Sequence, residues 1–114
     1  MKDNVIVIKS KALAIRIIRL YQFLTTKKKE FIMSKQLLRC GTSIGANVRE
    51  SIFGQSLPDF HTKMTIALKE AGETEYWLEL LHETDYLTDE QFNSIFADSE
   101  EVLKILVAIT KSTK

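Results

Sequence analysis

Only one proline, Pro58, interrupts a chain of 114 residues, and only four glycines accompany it. A sheet sandwich needs a turn residue every ten positions or so, whereas helices of three to seven turns can run through such a sequence unbroken. The constraint is therefore on connections: few breaks, long elements, and a length below the roughly 150 residues of a typical domain. One all-α unit follows.

Local signals place the breaks. Leu87-Thr88-Asp89-Glu90-Gln91-Phe92 carries a capping box, in which Thr88 and Gln91 satisfy each other's backbone N–H groups, and a hydrophobic staple between Leu87 and Phe92. The helix after it places Phe92, Ile95, Phe96, Ser99, Val102, Leu103, Leu106 and Ile109 on one face. Ser56 is a suitable cap for a second start, with Pro58 in the first turn and Asp59 complementing the dipole. The stripe Phe60, Met64, Ala67, Ala71, Thr74 and Leu78 follows. Gly54 is placed to end the preceding helix in a left-handed conformation, and that helix turns Leu37, Gly41, Ile44, Val48 and Ile52 inward. Lys27-Lys28-Lys29 suits the C-terminus of a first helix, although Val5 to Ile8 could begin extended. These signals predict an up-and-down four-helix bundle with antiparallel neighbours and helices near 3–26, 34–53, 57–84 and 89–112.

Helix one carries two apolar stripes: Val5, Ile8, Ala12 and Ile15, and Ile6, Leu13, Ile17, Leu20 and Leu24. One stripe suffices for a surface helix, so the second predicts either self-association or cover by long neighbouring side chains. Ile6, Leu13, Ile17 and Leu20, with Ile66, Trp77 and Leu80 off the stripe of helix three, are the expected subunit contact. Gly41, Gly45 and Gly72 inside helices suggest close helix approach, or a kink at one of them.

The formal charge of +1 conceals a split of +8 over residues 1–54 and −7 over residues 55–114. Such a split fits a basic surface for an anionic partner, two halves attracting each other within the fold, or complementary faces of successive subunits. Lys35, Arg39 and Arg49 on the second helix, with Lys27, Lys28 and Lys29, are the candidate phosphate contacts, and Lys9, Arg16 and Arg19 could extend them. Ser43 and Asn47 flank the second helix's stripe beside Gln36, where Glu73 or Glu75 could complete a polar network fixing helix register.

The chemistry of an enzyme is missing from the pattern. Glu79-x-x-His82 has the spacing of a di-iron helix, but Pro58 stands where a second such motif would need glutamate before His61. Glu70, Glu73, Glu75 and Glu79 read as a solvated or salt-bridged face without a second acidic cluster to complete a metal site. No phosphate-binding glycine loop, dinucleotide fingerprint or nucleophile elbow occurs. No metal or cofactor is expected. Cys40 reads as a small buried hydrophobe, and a single cysteine can form no internal disulfide. The absence of a signal segment and of an 18-residue apolar run points to a soluble protein of a reducing compartment, the cytoplasm, with no membrane partner.

Ser43-Ile44-Gly45-Ala46-Asn47-Val48-Arg49-Glu50 resembles the S-I-x-x-N-I-x-E motif of the bacterial 23S rRNA intervening-sequence proteins, often labelled S23 ribosomal protein. Gln36-Leu37, Arg39, Thr42, Phe60, Ile66-Ala67, Ala71, Glu73, Glu75, Leu78 and Tyr86-Leu87-Thr88 are similar as well, so the resemblance is strongest over about residues 34–92. Gly45 departs from a frequent proline, and Arg49 and Ser51 from small residues, which affects the bend and surface of helix two. The resemblance implies a four-helix bundle, no enzymatic activity and a ring-like homopentamer. It extends to accessory proteins of diversity-generating retroelements, and so adds RNA or a reverse transcriptase-like protein as expected partners.

Overall fold

The computed structural model describes residues 4–54 and 56–114. Four helices follow one another: α1 (Asn4–Thr26), α2 (Met33–Ile52), α3 (Leu57–Glu83) and α4 (Asp89–Ser112). The expected start of α1 at Asp3 lies outside the described residues. α3, with 27 residues, should be about 40 Å long at 1.5 Å per residue, which accounts for the 44 × 20 × 20 Å shape. Each helix packs on its two neighbours in the square, while the diagonal pairs α1–α3 and α2–α4 make no close backbone approach. None of these helices is long and apolar enough to cross a membrane.

Every seam is antiparallel and carries a different contact. Between α1 and α2, Gly41 makes room for Ile17, since an added Cβ would lie 2.8 Å from Ile17 Cγ2. Between α2 and α3, Arg39 reaches Glu73 and Lys63 reaches Glu50, each at 2.8 Å. His82 Nε2 meets Asp89 Oδ1 at 2.7 Å across the α3–α4 turn, and His61 Nδ1 meets Thr113 Oγ1 at 2.6 Å at the other end of that seam. The α1–α4 seam is the loosest, and two ion pairs, Lys9–Glu101 and Arg16–Asp98, cross it.

Both expected caps of the second half are present. Thr88 and Gln91 exchange backbone–side chain hydrogen bonds at 2.9 and 3.1 Å, and Ser56 Oγ accepts from the Asp59 N–H. α3 ends with Asp85 in the left-handed region, φ 71°; the Tyr86 N–H returns to Leu81 C=O and the Asp85 N–H to His82 C=O. Gly54, by contrast, does not take a positive φ. Its N–H bonds Ser51 C=O, and a Cβ there would lie 3.1 Å from that carbonyl oxygen, so a larger residue would need the turn to shift by a few tenths of an ångström.

The start of α2 uses a device outside the usual capping residues. Ile32 provides no side-chain cap. Instead the Glu30 carboxylate, only 7% exposed, accepts from the N–H groups of Ile32 (3.1 Å), Met33 (2.9 Å) and Ser34 (2.7 Å). Its own N–H bonds Leu24 C=O, and the Ser34 hydroxyl donates to its carbonyl at 2.8 Å. Burial disfavours the charged form, but the hydrogen bonds from Met33, Ser34 and Ile32 outweigh it and hold the carboxyl below its ordinary 4.5.

The core is built from Ile6, Leu13, Ile17, Leu24, Leu37, Ile44, Val48, Met64, Ala67, Ala71, Leu78, Leu81, Leu87, Ile95, Val102 and Leu106. This reverses the expected roles of the two α1 stripes. Ile6, Leu13 and Ile17 are buried within the single chain and Leu20 is half-buried against them, so these four are not a subunit surface. The outward stripe is Val5, Ile8, Ile15 and Ile18. The reason is length: the buried stripe continues to Leu24, whereas the other meets Arg19 and Gln22. At the far end of α2, Ser51 turns inward and Ile52 outward. Gly72 faces open space with nothing within 4 Å of an added Cβ, so it has no close-approach role.

Three outcomes are expected. Gly41→Ala should lose about 1–3 kcal/mol in a denaturant titration, because stiff, buried Ile17 cannot yield. Gly72→Ala should gain about 0.5–1 kcal/mol from helix propensity alone. Glu30→Ala should lose about 2 kcal/mol at pH 7. Because the folded-state pKa of Glu30 is depressed, its stabilisation is complete at neutral pH and fades as pH falls below 4.5. Melting curves of wild type and Glu30→Ala should therefore converge in acid.

Candidate nucleic-acid interface

The charge split of the sequence first acts inside the molecule. On the α1–α4 seam, Lys9 pairs with Glu101 at 3.2 Å. Arg16 donates to Asp98 Oδ2 at 2.7 Å, Ser94 Oγ at 2.9 Å and Ser94 C=O at 3.1 Å. On the α2–α3 seam, Arg39 Nη2 donates to Glu73 Oε2, which also accepts the Trp77 indole N–H at 3.0 Å; Gln36 and Glu70 stand nearby at 3.5 and 4.0 Å. Basic α1 and α2 each lie beside an acidic helix.

This pairing changes the candidate phosphate contacts. Arg39 is engaged by Glu73 and Glu70, so it is a strut between helices rather than a free cation. Lys9 and Arg16 are likewise committed. Lys27, Lys28, Lys29, Lys35 and Arg49 are exposed and have no ion-pair partner among the described residues. They form two groups. The three lysines of the α1–α2 connection and Lys35, on the first turn of α2, share one end of the bundle. Arg49 lies 14 residues further along, roughly 21 Å at helical rise. There it borders a shallow α1–α2 cleft of about 270 Å³ with Lys11, Thr42, Gly45 and Ala46. Lys28 Nζ folds back to 6.0 Å from the centre of the Phe23 ring.

The expected polar network is not formed. Ser43 Oγ donates to Arg39 C=O at 2.7 Å and Asn47 Nδ2 to Ser43 C=O at 2.9 Å, both within α2. Helical back-bonding satisfies these groups locally, so nothing draws them across the seam. Glu73 belongs to the Arg39–Trp77 contact. Glu75 faces α4, where burial, together with Glu100 and Glu79, pushes its carboxyl up against the opposing effect of Lys104. Of the other expected contact residues, Ile66 is exposed, while Trp77 and Leu80 are half-buried, Trp77 against the core and edge-on to Tyr76.

Cys40 is buried, its thiol pushed up by desolvation, with the Thr74 hydroxyl donating to Sγ at 3.4 Å. His61 and His82 stand near opposite ends of α3, about 31 Å apart along the axis, and His82 stacks on Phe92 at 4.2 Å. Sequence reasoning missed two features. One is the Glu30 cap, although Glu30 is the sole carboxylate between Asp3 and Glu50. The other is a groove of about 600 Å³ between α1 and α4, floored by Leu20, Phe23, Leu87 and Ile95 and rimmed by Arg16, Arg19 and Glu90. Only the packing of α1 against α4 could reveal it.

Fold and surface together define an antiparallel four-helix bundle with ionic outer seams, an apolar α1 stripe left outside, and a lysine-rich end. Residues 2–108 match the family described as 23S rRNA-intervening sequence protein, and the chain belongs to that family. A crystal structure of a protein of unknown function from the S23 ribosomal protein family of Bacteroides thetaiotaomicron VPI-5482 is similar at 59% identity, with a TM-score of 0.95. That similarity covers 97% of this chain and 99% of the other. No curated protein matches this chain.

The paired seams carry an expectation of their own. Arg39→Gln should cost less than about 1 kcal/mol, since the Arg39 side chain is more than half exposed, and the loss should shrink in molar salt. Trp77 emission, read alongside, should shift as its indole partner Glu73 is released.

Proposed function

We propose that this protein is a non-catalytic, self-associating helical bundle that binds RNA, or a protein–RNA complex, through the lysine-rich end of α1 and α2. The carrying observation is that Lys9, Arg16, Arg39 and Lys63 are paired across the seams, whereas Lys27, Lys28, Lys29 and Lys35 cluster at one end with no ion-pair partner among the described residues. A cluster of unpaired lysines releases counterions on meeting phosphates, which is the main source of sequence-independent affinity for nucleic acid. The family's description, tied to an rRNA intervening sequence, supports the same reading. Arg49 and Lys11 form a secondary contact at the other end of α2. A reverse transcriptase-like protein is the protein partner that family resemblance adds. The cytoplasm is the proposed location, where Cys40 remains a thiol.

Assembly is the second part of the proposal. Val5, Ile8, Ile15 and Ile18 leave an apolar stripe on the outer face of α1, supporting self-association through that helix, as a ring-shaped pentamer by family resemblance. The competing reading has no RNA at all: the basic α1–α2 side meets the acidic α3–α4 side of the next copy.

Binding to a structured RNA across a salt series, with mass measured in the same buffers, separates them. The proposal expects log affinity to fall linearly with log salt, by about 0.7–0.9 per phosphate neutralised. Lys27→Gln, Lys28→Gln, Lys29→Gln and Lys35→Gln together should abolish most affinity and leave mass unchanged. Ile8→Asp with Ile15→Asp should yield monomers that keep their helicity. An intact oligomer without RNA affinity at low salt sinks the RNA reading, and loss of assembly by the lysine variant supports the competitor.

A further inference from the structure

We infer that the α1–α2 connection is a stacking site for an unpaired base of single-stranded RNA, with Phe31 as the platform and Lys27, Lys29 and Lys35 as phosphate contacts. This rests on the proposal that the chain binds RNA, and specifies which form of RNA and which side chain reads it.

Two large apolar side chains sit at the tip of the lysine-rich end: Phe31 is 58% exposed and Ile32 78% exposed. Neither contributes to the core, and Phe31 directly follows the three lysines. Lys35 lies on the first turn of α2, three residues beyond the N-cap Ile32, and Phe31 immediately precedes that cap, so the lysine and the aromatic belong to the same end of the bundle. An aromatic face inside a cationic cluster is how single strands are held without sequence preference: bases stack on the ring while cations follow the backbone.

The tip is held in place. Lys29 adopts φ 56°, and the buried Glu30 carboxylate fixes the N–H groups of Ile32, Met33 and Ser34, the residues immediately after Phe31. A platform fixed before binding loses less entropy on binding than a mobile one. The same carboxylate fills the N-terminus of α2, so phosphates are left to the lysines rather than to the helix amides. Lys28 is drawn back over Phe23, which leaves Lys27 and Lys29 as the uncommitted cations of the connection. The α3–α4 turn at this end carries Glu83, Asp85 and Asp89, so the strand is confined to the α1–α2 side. Duplex RNA offers no open base face within its stack, whereas splayed single strands do.

The test compares an oligouridine of about 12 nucleotides with a blunt RNA duplex of similar length, titrated by fluorescence anisotropy. Proteins are wild type, Phe31→Ala, Phe31→Trp and Lys27→Gln/Lys29→Gln. Wild type should prefer the single strand. Phe31→Ala should weaken it about tenfold without changing the salt slope or duplex binding, and Phe31→Trp should restore it. The lysine variant should flatten the slope by roughly one to two units. If Phe31→Ala leaves oligouridine affinity unchanged while RNA is still bound, the stacking site is wrong and RNA binding stands. If neither RNA binds wild type, both fail. A change of oligomer mass in Phe31→Ala makes Phe31 a protein contact and overturns the inference.

Discussion

The buried Glu30 carboxylate connects the two halves of this molecule's logic. It closes the chain reversal between α1 and α2 by taking the first free N–H groups of α2, which no Ser, Thr, Asn or Asp at position 32 is available to satisfy. With those donors filled, α2 can start at Met33 and lie antiparallel to α1 closely enough for Gly41 to touch Ile17. The same closure turns Phe31 and Ile32 outward among the lysines. A single anion, held by backbone N–H groups, thus organises the end of the bundle where positive charge accumulates.

Charge in this chain works at two ranges. Along the seams, pairs such as Arg16–Asp98 and Arg39–Glu73 are partly exposed and contribute little stability individually, but they select which helix lies beside which. A basic α1 between α2 and acidic α4, and a basic α2 beside acidic α3, satisfy the split without any partner molecule. Among the cations this arrangement leaves unpaired are the lysines of the connection between α1 and α2, over which no helix passes. The cluster of positive charge at that end is therefore a consequence of where the chain turns.

The proposed assembly and the fold draw on the same helix. α1 presents Ile6, Leu13 and Ile17 to the core and Val5, Ile8, Ile15 and Ile18 to the outside. Because α1–α4 is the loosest seam and carries a groove, a partner that covers the outer stripe would also support the weakest edge of the bundle.

The sequence alone determined the helix count, the caps at Ser56 and Thr88 and the inward faces of α3 and α4, because capping and 3.6-residue periodicity are local properties. Family membership was legible as well, from the run Ser43–Glu50 and the third helix. What the sequence left open was every question about neighbours. Periodicity marks two stripes on α1 but does not say which faces α2 and α4. Ser43 and Asn47 look like cross-helix partners until the i−4 carbonyls claim them, and Arg39 looks like a phosphate contact until α3 brings Glu73 to it. Gly41 and Gly72 are alike in sequence and opposite in space. Only the tertiary structure decided these, since each depends on which atoms of another helix lie within a few ångströms, and spacing along one helix contains no such distance.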